Sequence, residues 1–485
     1  MNKRIVINLL GKAMVVEGVL MLLPMLVGFI YNENTYLSFL IPIVALLIVG
    51  LPLSMIKSKD RQFYNKEGLV TVSLVWIVMS LFGALPFVID GVIPNYIDAL
   101  FETVSGFTTT GASIMQNVEI MSKSHMFWRI FTHFIGGMGV IVFVLAVLPS
   151  DTGAMHIFRA EAPGPEATKL VSKMRFTARI LYSIYVSLTA IEIILLLFSG
   201  MGFYDAVLNS FSTAGTGGFS MYNNSVAHYN SVYVEMVIAV FMFLFGINFN
   251  IFYLILIGNF SKAFKSEELR AYFIIVISAV ILIALNILST CENFWQALRY
   301  SFFQTTAISS TTGFASADFD AWPTFSKVIL LFLMVCGGCG GSTGGGLKVS
   351  RIVMLVKGVF GDIKRIFYPR AIVTPRFEGK PLLKEQENSV KAYFLIWAII
   401  LVLSTLLLSL DGFVSGQNGL MTCISTTITC IGNVGPGFEL VGPTLNYSGY
   451  APYSKILLSL VMLVGRLEIF PMLILFSPKT WKKAC

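Results

Sequence analysis

Apolar runs of about 20 residues recur along the whole chain and alternate with polar or charged connections. A helix of about 20 apolar residues is long enough to cross the hydrocarbon core of a bilayer. The pattern therefore predicts an all-α polytopic membrane protein. Ten spans are expected, at residues 9–31, 36–56, 69–90, 127–149, 180–200, 231–258, 270–290, 326–359, 391–410 and 453–477.

Four connections are too long and too apolar for ordinary loops. Each begins with an apolar or amphipathic stretch of about 12 residues, too short a helix to cross a bilayer, and continues into a tract rich in Gly, Thr and Ser. Non-helical backbone at membrane depth is tolerated only where it is buried in protein or lines a cavity. We therefore expect a short helix that enters the membrane and returns as extended chain within 91–126, 201–230, 291–325 and 411–452.

The charges predict a topology. Only 12% of the residues are charged, and most of the 34 Lys and Arg residues fall in every second connection, counted from the N-terminus. Because Lys and Arg concentrate on the cytoplasmic side, both termini are predicted to be cytoplasmic and the four long connections external. This distribution explains the net charge of +8 without nucleic acid as a partner. The first apolar stretch is interpreted as a retained span, because it is long and lacks a clear small-residue cleavage site.

The four long connections share a sequence signature. Residues 98–113 align with 205–220 without gaps and match at six positions, the third connection matches at its TTG tract, and the fourth matches more weakly. The aligned glycines are Gly111, Gly218, Gly313 and either Gly432 or Gly435, of which Gly435 is preferred.

The repeated unit is a span, a short helix, an extended strand and a second span. It occurs four times and follows two extra N-terminal spans. The predicted organisation is two transmembrane helices in 1–60, repeat 1 in 61–150, repeat 2 in 170–260, repeat 3 with a broken second span in 268–360, a cytosolic linker in 361–390 and repeat 4 in 391–485.

These residue types suit a dehydrated cation. A bare ion needs oxygen ligands in place of its water, and rings of backbone carbonyls supply them. Glycine reaches positive φ at low cost, so that neighbouring carbonyls turn to one side. The absence of an acidic ring from the tracts disfavours a carboxylate-lined Ca²⁺ site. The predicted ion-binding filter comprises Thr110, Gly111, Gly217, Gly218, Thr312, Gly313, Val434 and Gly435.

The eighth predicted span contains CGGCGGSTGGG, residues 336–346, with seven glycines in eleven residues. A continuous helix would lose roughly 1 kcal/mol per Gly relative to Ala. The span is therefore expected to break near the middle of the membrane and to line the cavity below the filter. Close helix packing is the alternative, although it needs small residues only at every fourth position.

Arg466 lies about ten residues from the inner end of the last predicted span, where an Arg must face water or a partner. We expect a fixed positive barrier below the filter, with Glu468 either as its partner or facing another helix. Lys348, directly after the glycine tract, is expected either in the inner vestibule or among lipid headgroups.

The tracts TTTGAS at Gly111, GGFS at Gly218, STTGFAS at Gly313 and GNVGPG at Gly435 resemble the four filter signatures of the Trk/Ktr/HKT cation transporter superfamily. The two leading spans and the LVGRLEIFPML tract, which contains Arg466, are similar to its TrkH branch. The resemblance covers essentially the whole chain. It implies potassium uptake across the plasma membrane of a bacterium, the inner membrane if Gram-negative, with K⁺ as the transported ion and no organic cofactor on this chain.

The same resemblance implies a homodimer and a cytosolic TrkA-type nucleotide-binding ring as regulatory partner. Glycine at the first filter position favours K⁺, because plant members with Ser there transport Na⁺. The resemblance also implies an intramembrane gate, which here comprises Gly337, Gly338, Gly340, Gly341, Gly344, Gly345, Gly346, Lys348 and Arg466.

The basic segment 361–390 has two interpretations. It either contacts the headgroups of membrane lipids or forms the docking surface for the regulatory ring. In the second case, movement of the eighth span would displace the glycine tract.

Two other functions share single features with this sequence. Residues 340–344 match G-x-S-x-G, but an intramembrane hydrolase needs a His base, and His133, the His inside a predicted span, lies near the outer end, away from Ser342. The chain is therefore not expected to be an enzyme. H⁺- or Na⁺-coupled K⁺ symport stays the alternative because such transporters also use broken helices, although their repeats are usually inverted.

Overall fold

The computed structural model describes residues 2–56, 65–139, 174–370 and 374–481. Helices dominate these ranges, and they are numbered here in chain order among the described residues. The N-terminal part contains α1 (Lys3–Leu20), α2 (Leu22–Ile30) and α3 (Tyr36–Met55). The first predicted repeat follows with α4 (Asn65–Gly83), α5 (Leu85–Ile89), α6 (Tyr96–Phe107) and α7 (Lys123–Gly137).

The second and third predicted repeats each contain a long first helix, a short helix in the long connection and a final pair of helices. The second contains α8 (Met174–Phe198), α9 (Phe203–Gly215), α10 (Val232–Phe245) and α11 (Phe249–Leu256). The short helix α12 (Phe260–Lys265) leads to the third, which contains α13 (Glu267–Ile287), α14 (Phe294–Ser309), α15 (Thr324–Cys336) and α16 (Val349–Phe367).

A short antiparallel hairpin, β1 (Arg376–Phe377) and β2 (Lys380–Pro381), precedes the last part of the chain. That part contains α17 (Lys384–Leu408), α18 (Gly419–Gly432), α19 (Pro452–Arg466), α20 (Phe470–Phe476) and α21 (Pro478–Trp481). Short 3-10 helices lie at Ser225–Tyr229, Leu288–Thr290, Phe319–Ala321, Gly412–Val414 and Glu439–Val441.

Within the described ranges, six helical stretches are long and apolar enough to cross a membrane, and α10 with α11 makes a seventh that is bent by 93°. Their outward faces carry exposed aliphatic side chains such as Ile48, Ile274 and Leu403, as lipid contact requires. The six stretches are Lys3–Ile30, Tyr36–Met55, Lys66–Ile89, Thr177–Phe198, Glu267–Thr290 and Lys384–Leu408. All seven overlap predicted spans, so the predicted polytopic helical class is confirmed.

The other three predicted spans are each interrupted or only partly described. Helix α7 covers the start of 127–149, and the remainder from residue 140 lies outside the described residues. The span 326–359 is broken between α15 and α16, where the glycine tract predicted a break. The span 453–477 is also broken, between α19 and α20, which the sequence did not indicate. The basic segments 57–64, 151–173 and 482–485 lie outside the described residues, as does 371–373.

Each long connection contains the predicted short helix. Helices α6, α9, α14 and α18 have 12, 13, 16 and 14 residues, and each is followed by extended chain. Two of them start at an Asn whose side chain accepts a hydrogen bond from the first turn, namely Asn95 from the Ile97 amide and Asn293 from the Gln296 amide.

Helices α1 and α3 pack through two glycines. A methyl group built on Gly11 would lie 2.7 Å from the Gly50 carbonyl oxygen and 2.4 Å from the Ser54 amide nitrogen. The two backbones are therefore in direct contact, as small residues allow between helices in a membrane.

We predict that Gly11→Leu separates α1 from α3 and destabilises the protein by roughly 1–3 kcal/mol, the usual cost of overpacking. Thermal unfolding of the detergent-purified protein measures this. Gly202→Leu is the matched control, because a side chain at Gly202 would have no neighbour within 4 Å. Equal melting temperatures for the two variants would contradict the close contact.

Candidate functional site

The four short helices end in the same backbone pattern. The residue two positions before each predicted filter glycine has a positive φ, of 53°, 52°, 61° and 54° at Thr109, Thr216, Thr311 and Asn433. The glycines themselves have φ of 80°, 81°, 77° and 103° at Gly111, Gly218, Gly313 and Gly435. The residue between them does not have a positive φ in any of the four strands.

This alternation explains why glycine is required. In an ordinary strand successive carbonyls point to opposite sides, and reversing the handedness of alternate residues turns them toward one side. A residue with a Cβ adopts such a φ only at a cost, which Gly avoids. The four tracts are therefore built to present consecutive backbone oxygens on one side of each strand, which is how backbone carbonyls can ligate a cation.

The four strands form a closed ring. A methyl group built on Gly111 would lie 2.0 Å from the Gly217 carbonyl oxygen, and one on Gly218 would lie 2.0 Å from that of Thr312. A methyl group built on Gly313 would lie 2.1 Å from the Val434 carbonyl oxygen. One built on Gly435 would lie 2.5 Å from the Thr110 carbonyl oxygen, and this contact with the first strand closes the ring.

All eight predicted filter residues thus lie in this ring, which we call the carbonyl ring (Thr110, Gly111, Gly217, Gly218, Thr312, Gly313, Val434 and Gly435). The structure also distinguishes the two glycines of the fourth tract. Gly435 belongs to the ring, whereas Gly432 is the last residue of α18.

Hydroxyl and amide groups support the strands. The hydroxyls of Thr108 and Thr110 are 2.7 Å apart, as are those of Ser310 and Thr312. The side-chain nitrogen of Asn433 donates to the Thr110 hydroxyl at 2.9 Å and so joins the fourth strand to the first.

His133 of α7 holds the second strand. Its Nε2 accepts a hydrogen bond from the Phe219 amide at 3.2 Å, so Nδ1 carries the proton and donates to the Gly106 carbonyl at 2.7 Å. His133 therefore acts here as a buried support.

A buried ion pair lies beside the first strand. Arg129 Nε donates to Glu102 Oε1 at 2.6 Å, and both side chains are almost completely buried. Glu102 also accepts from the Ser113 hydroxyl at 2.9 Å and the Ile114 amide at 2.9 Å. Arg129 reaches the Ser220 carbonyl at 3.1 Å. The pair therefore connects the chain that follows two different strands of the ring.

A cavity of about 120 Å³ leads to the ring and is lined by all four ring glycines that have positive φ. Tyr447, on the cavity wall, donates to the Gly435 carbonyl at 2.7 Å. In the described part of the chain, no group of three or more His, Cys, Asp or Glu residues could hold a metal ion. The oxygen donors that the ring offers are backbone carbonyls.

The glycine tract forms an irregular loop between α15 and α16, here called the glycine loop (Gly337–Lys348). It packs against the bases of two strands. The Gly345 amide donates to the Thr311 hydroxyl at 2.7 Å, and a methyl group on Gly345 would lie 2.2 Å from the Gly432 carbonyl oxygen. All seven predicted gate glycines lie in this loop.

The bend between α10 and α11 receives the other side of the glycine loop. The Cys339 amide donates to the Gly246 carbonyl at 2.9 Å, and the Phe249 amide donates to the Gly341 carbonyl at 3.0 Å. The bend therefore supplies partners to loop backbone that would otherwise be unpaired at membrane depth.

Arg466 lies at the end of α19 and contacts the glycine loop. Its guanidinium donates to the Thr343 carbonyl at 2.7 Å and to the carbonyls of Gly136 and Gly137 at 2.6 and 2.7 Å. The side chain thus joins the loop to the C-terminal end of α7, where helix carbonyls without helical partners carry partial negative charge.

Two neighbouring charges have identified partners. Lys348 is buried and its ammonium donates to the Gly344 carbonyl, which disagrees with the lipid-headgroup alternative of the prediction. Glu468 forms an ion pair with Arg351.

Several residues of this site were not identified from the sequence. Glu102 lies in the predicted connection 91–126, Arg129 at the start of the span 127–149, Asn248 inside the span 231–258 and Glu268 just before the span 270–290, and none of them belongs to the predicted site. The usable signals were a glycine and an asparagine, Gly246 and Asn248, inside a predicted span, and a Ser followed by two acids at 266–268, which is typical of a helix start.

A family model described as "TrkH: Cation transport protein" matches residues 38–483. The Trk system potassium uptake protein TrkH of Salmonella typhimurium is 32% identical over the full length of both chains. TrkG of Escherichia coli, also a Trk system potassium uptake protein, is 32% identical over 99% of each chain. The crystal structure of the potassium transporter TrkH from Vibrio parahaemolyticus covers 99% of this chain and 100% of its own, with a TM-score of 0.89 and 30% identity.

We predict that Gly218→Ala abolishes cation flux in proteoliposomes, because the added methyl group would lie 2.0 Å from the Thr312 carbonyl and push two strands apart. Gly200→Ala is the matched control: Gly200 has φ of 84° and no neighbour within 4 Å, so it carries the same backbone cost without the collision. Retained flux in Gly218→Ala would mean that the ring tolerates a wider spacing and is not the path.

Proposed function

Because this chain belongs to the TrkH family of cation transport proteins, we propose that it takes up K⁺ through the centre of the carbonyl ring. The observation that carries the proposal is the cyclic contact of four strands, in which Gly111, Gly218, Gly313 and Gly435 each lie against a carbonyl oxygen of the next strand. Such a ring replaces the water of a dehydrated cation. The relatives named as potassium uptake proteins support K⁺ as that cation.

We assign gating to the glycine loop and Arg466. The loop lies against Thr311 and Gly432 at the bases of two strands, and Arg466 contributes a positive charge there. In this position a fixed cation opposes the passage of K⁺. The loop must move aside to open the path, and its seven glycines permit the change in backbone conformation.

Membership of the family also supports a proposal for the wider assembly. We propose a homodimer in the bacterial inner membrane, regulated by a cytosolic TrkA-type nucleotide-binding ring that docks on 361–390. The phrase "Trk system" in the names of the relatives is consistent with a transporter of several components. The hairpin at β1 and β2 lies within this segment and gives it a defined surface.

The proposal predicts that purified protein in liposomes passes K⁺ and Rb⁺ faster than Na⁺ and Li⁺. The measurement is the reversal potential under defined gradients, with Gly218→Ala protein as the control for leak. A reversal potential that follows the K⁺ gradient alone supports a channel-like path. K⁺ accumulation against its own electrochemical gradient, driven by a Na⁺ or H⁺ gradient, would contradict it in favour of coupled symport.

We predict that Arg466→Ala increases K⁺ flux, because it removes the positive charge and the contacts with Thr343, Gly136 and Gly137. Arg466→Lys keeps the charge but cannot reproduce the planar set of donors. It therefore separates the effect of the positive charge from the effect of the hydrogen bonds to the three carbonyls. Unchanged or lower flux in Arg466→Ala, at normal expression, would contradict the barrier.

A further inference from the structure

The glycine loop is held from the side by a carboxylate that the proposed gate does not include. Glu268, in the first turn of α13, is 5% exposed. Its Oε1 accepts hydrogen bonds from the Gly340 amide at 2.6 Å and from the Ser350 amide at 3.2 Å. One oxygen therefore binds the loop near its middle and the start of the helix that follows it.

The second oxygen of Glu268 faces the bend between α10 and α11. The side-chain nitrogen of Asn248 donates to Oε2 of Glu268 at 3.4 Å, and the side-chain oxygen of Asn248 accepts from the backbone amide of Asn250 at 3.0 Å. Hydrogen bonds to a charged acceptor are stronger than those between neutral groups, and they are strongest where water is excluded. Glu268 thus joins the loop, α16 and the bend at one buried point.

The β1–β2 hairpin, predicted to be cytosolic, forms hydrogen bonds with the same end of α13. Glu378, at the hairpin turn, accepts hydrogen bonds from the Ser266 hydroxyl at 2.8 Å and from the Glu268 amide at 3.1 Å. The Glu378 amide in turn donates to Glu267 at 3.3 Å, and Lys357 of α16 binds both Glu267 and the Arg376 carbonyl. The backbone of Glu268 is held by the hairpin while its side chain holds the loop.

We infer that Glu268 is a latch, meaning that its hydrogen bonds hold the glycine loop in place. The hairpin, through Glu378, fixes the position of Glu268. A partner that pulls the hairpin away from α13 removes the acceptor for the Glu268 amide and allows the first turn of α13 to shift. The carboxylate then leaves the amides of Gly340 and Ser350, and the loop is released. The inference rests on the proposed gate and names the residue through which a cytosolic partner acts on it.

A cavity of about 770 Å³ lies against the latch, lined by Glu268, Gly340, Ser350 and Glu378 among others. It provides the space into which the end of α13 and the loop can move without displacing packed side chains. The latch can therefore open without unfolding of the surrounding helices.

Loop release is measured through Cys339, which lies in the loop and is completely buried. The full-length protein keeps Cys339 and has the other five cysteines replaced by Ala, and its rate of modification by a small maleimide is recorded. Glu268→Met and Glu268→Gln are the matched pair, because both keep the volume of the side chain and only Gln keeps an oxygen acceptor. We expect Met to raise the rate about tenfold, since two buried amides lose their acceptor, and Gln to raise it much less.

Glu378→Ala tests the hairpin, because the hydrogen bonds of Glu378 in the described part of the chain go to Ser266, Glu267 and Glu268 and not to the loop. We expect faster modification of Cys339, and no change with Glu385→Ala, an exposed carboxylate in the first turn of α17. Glu378→Ala should add nothing to Glu268→Met, because both act through one contact. Equal rates for Met and Gln, or additive effects in the double variant, would overturn the inference.

K⁺ flux through the same variants in liposomes separates the latch from the gate. Faster Cys339 modification together with higher flux supports both. Faster modification with unchanged flux supports the latch and overturns the role of the loop as a gate. Unchanged modification overturns the latch whatever the flux does.

Discussion

The structure depends on one constraint: backbone that leaves a helix at membrane depth must find hydrogen-bond partners within the protein. The four strands of the carbonyl ring and the glycine loop are segments of this kind. Amides at the start of each strand bind back to the preceding helix, as Thr110 does to Ser105 at 2.9 Å, and other amides bind neighbours that are distant in sequence. The Phe219 amide binds His133, the Gly345 amide binds Thr311, and the Cys339 amide binds a carbonyl in the bend at Gly246.

The same constraint explains the position of three charged side chains. Each lies where backbone groups of opposite polarity converge, because one ion can bind two or three of them. Glu102 and Glu268 each accept from backbone amides, and Arg466 donates to three carbonyls. These three side chains therefore hold irregular backbone whose hydrogen bonds a regular helix or sheet would otherwise satisfy.

The sequence was sufficient for those features that recur along the chain. Apolar runs and repeated TTG-like tracts predicted the helices, the entering half-helices and the residues of the ring, because these follow from local periodicity and local φ requirements. For the fourth tract it favours Gly435 but leaves Gly432 open, and the structure distinguishes them because Gly432 ends α18, whereas Gly435 has a φ of 103° and lies against the Thr110 carbonyl. The ion pair of Arg351 with Glu468 and the contact of Glu268 with Gly340 join residues far apart in sequence, and a single sequence carries no signal for such pairs.

The ring closes in the order of the chain, from Gly111 to Gly218, Gly313, Gly435 and back. A channel assembled from four identical subunits changes all of its quadrants whenever one codon mutates. Here a mutation reaches one quadrant and leaves three intact. The residue pairs of the ring differ accordingly, with Thr–Gly in the first and third quadrants, Gly–Gly in the second and Val–Gly in the fourth. A single chain that supplies all four quadrants therefore allows one wall of the ring to change while the other three keep their residues.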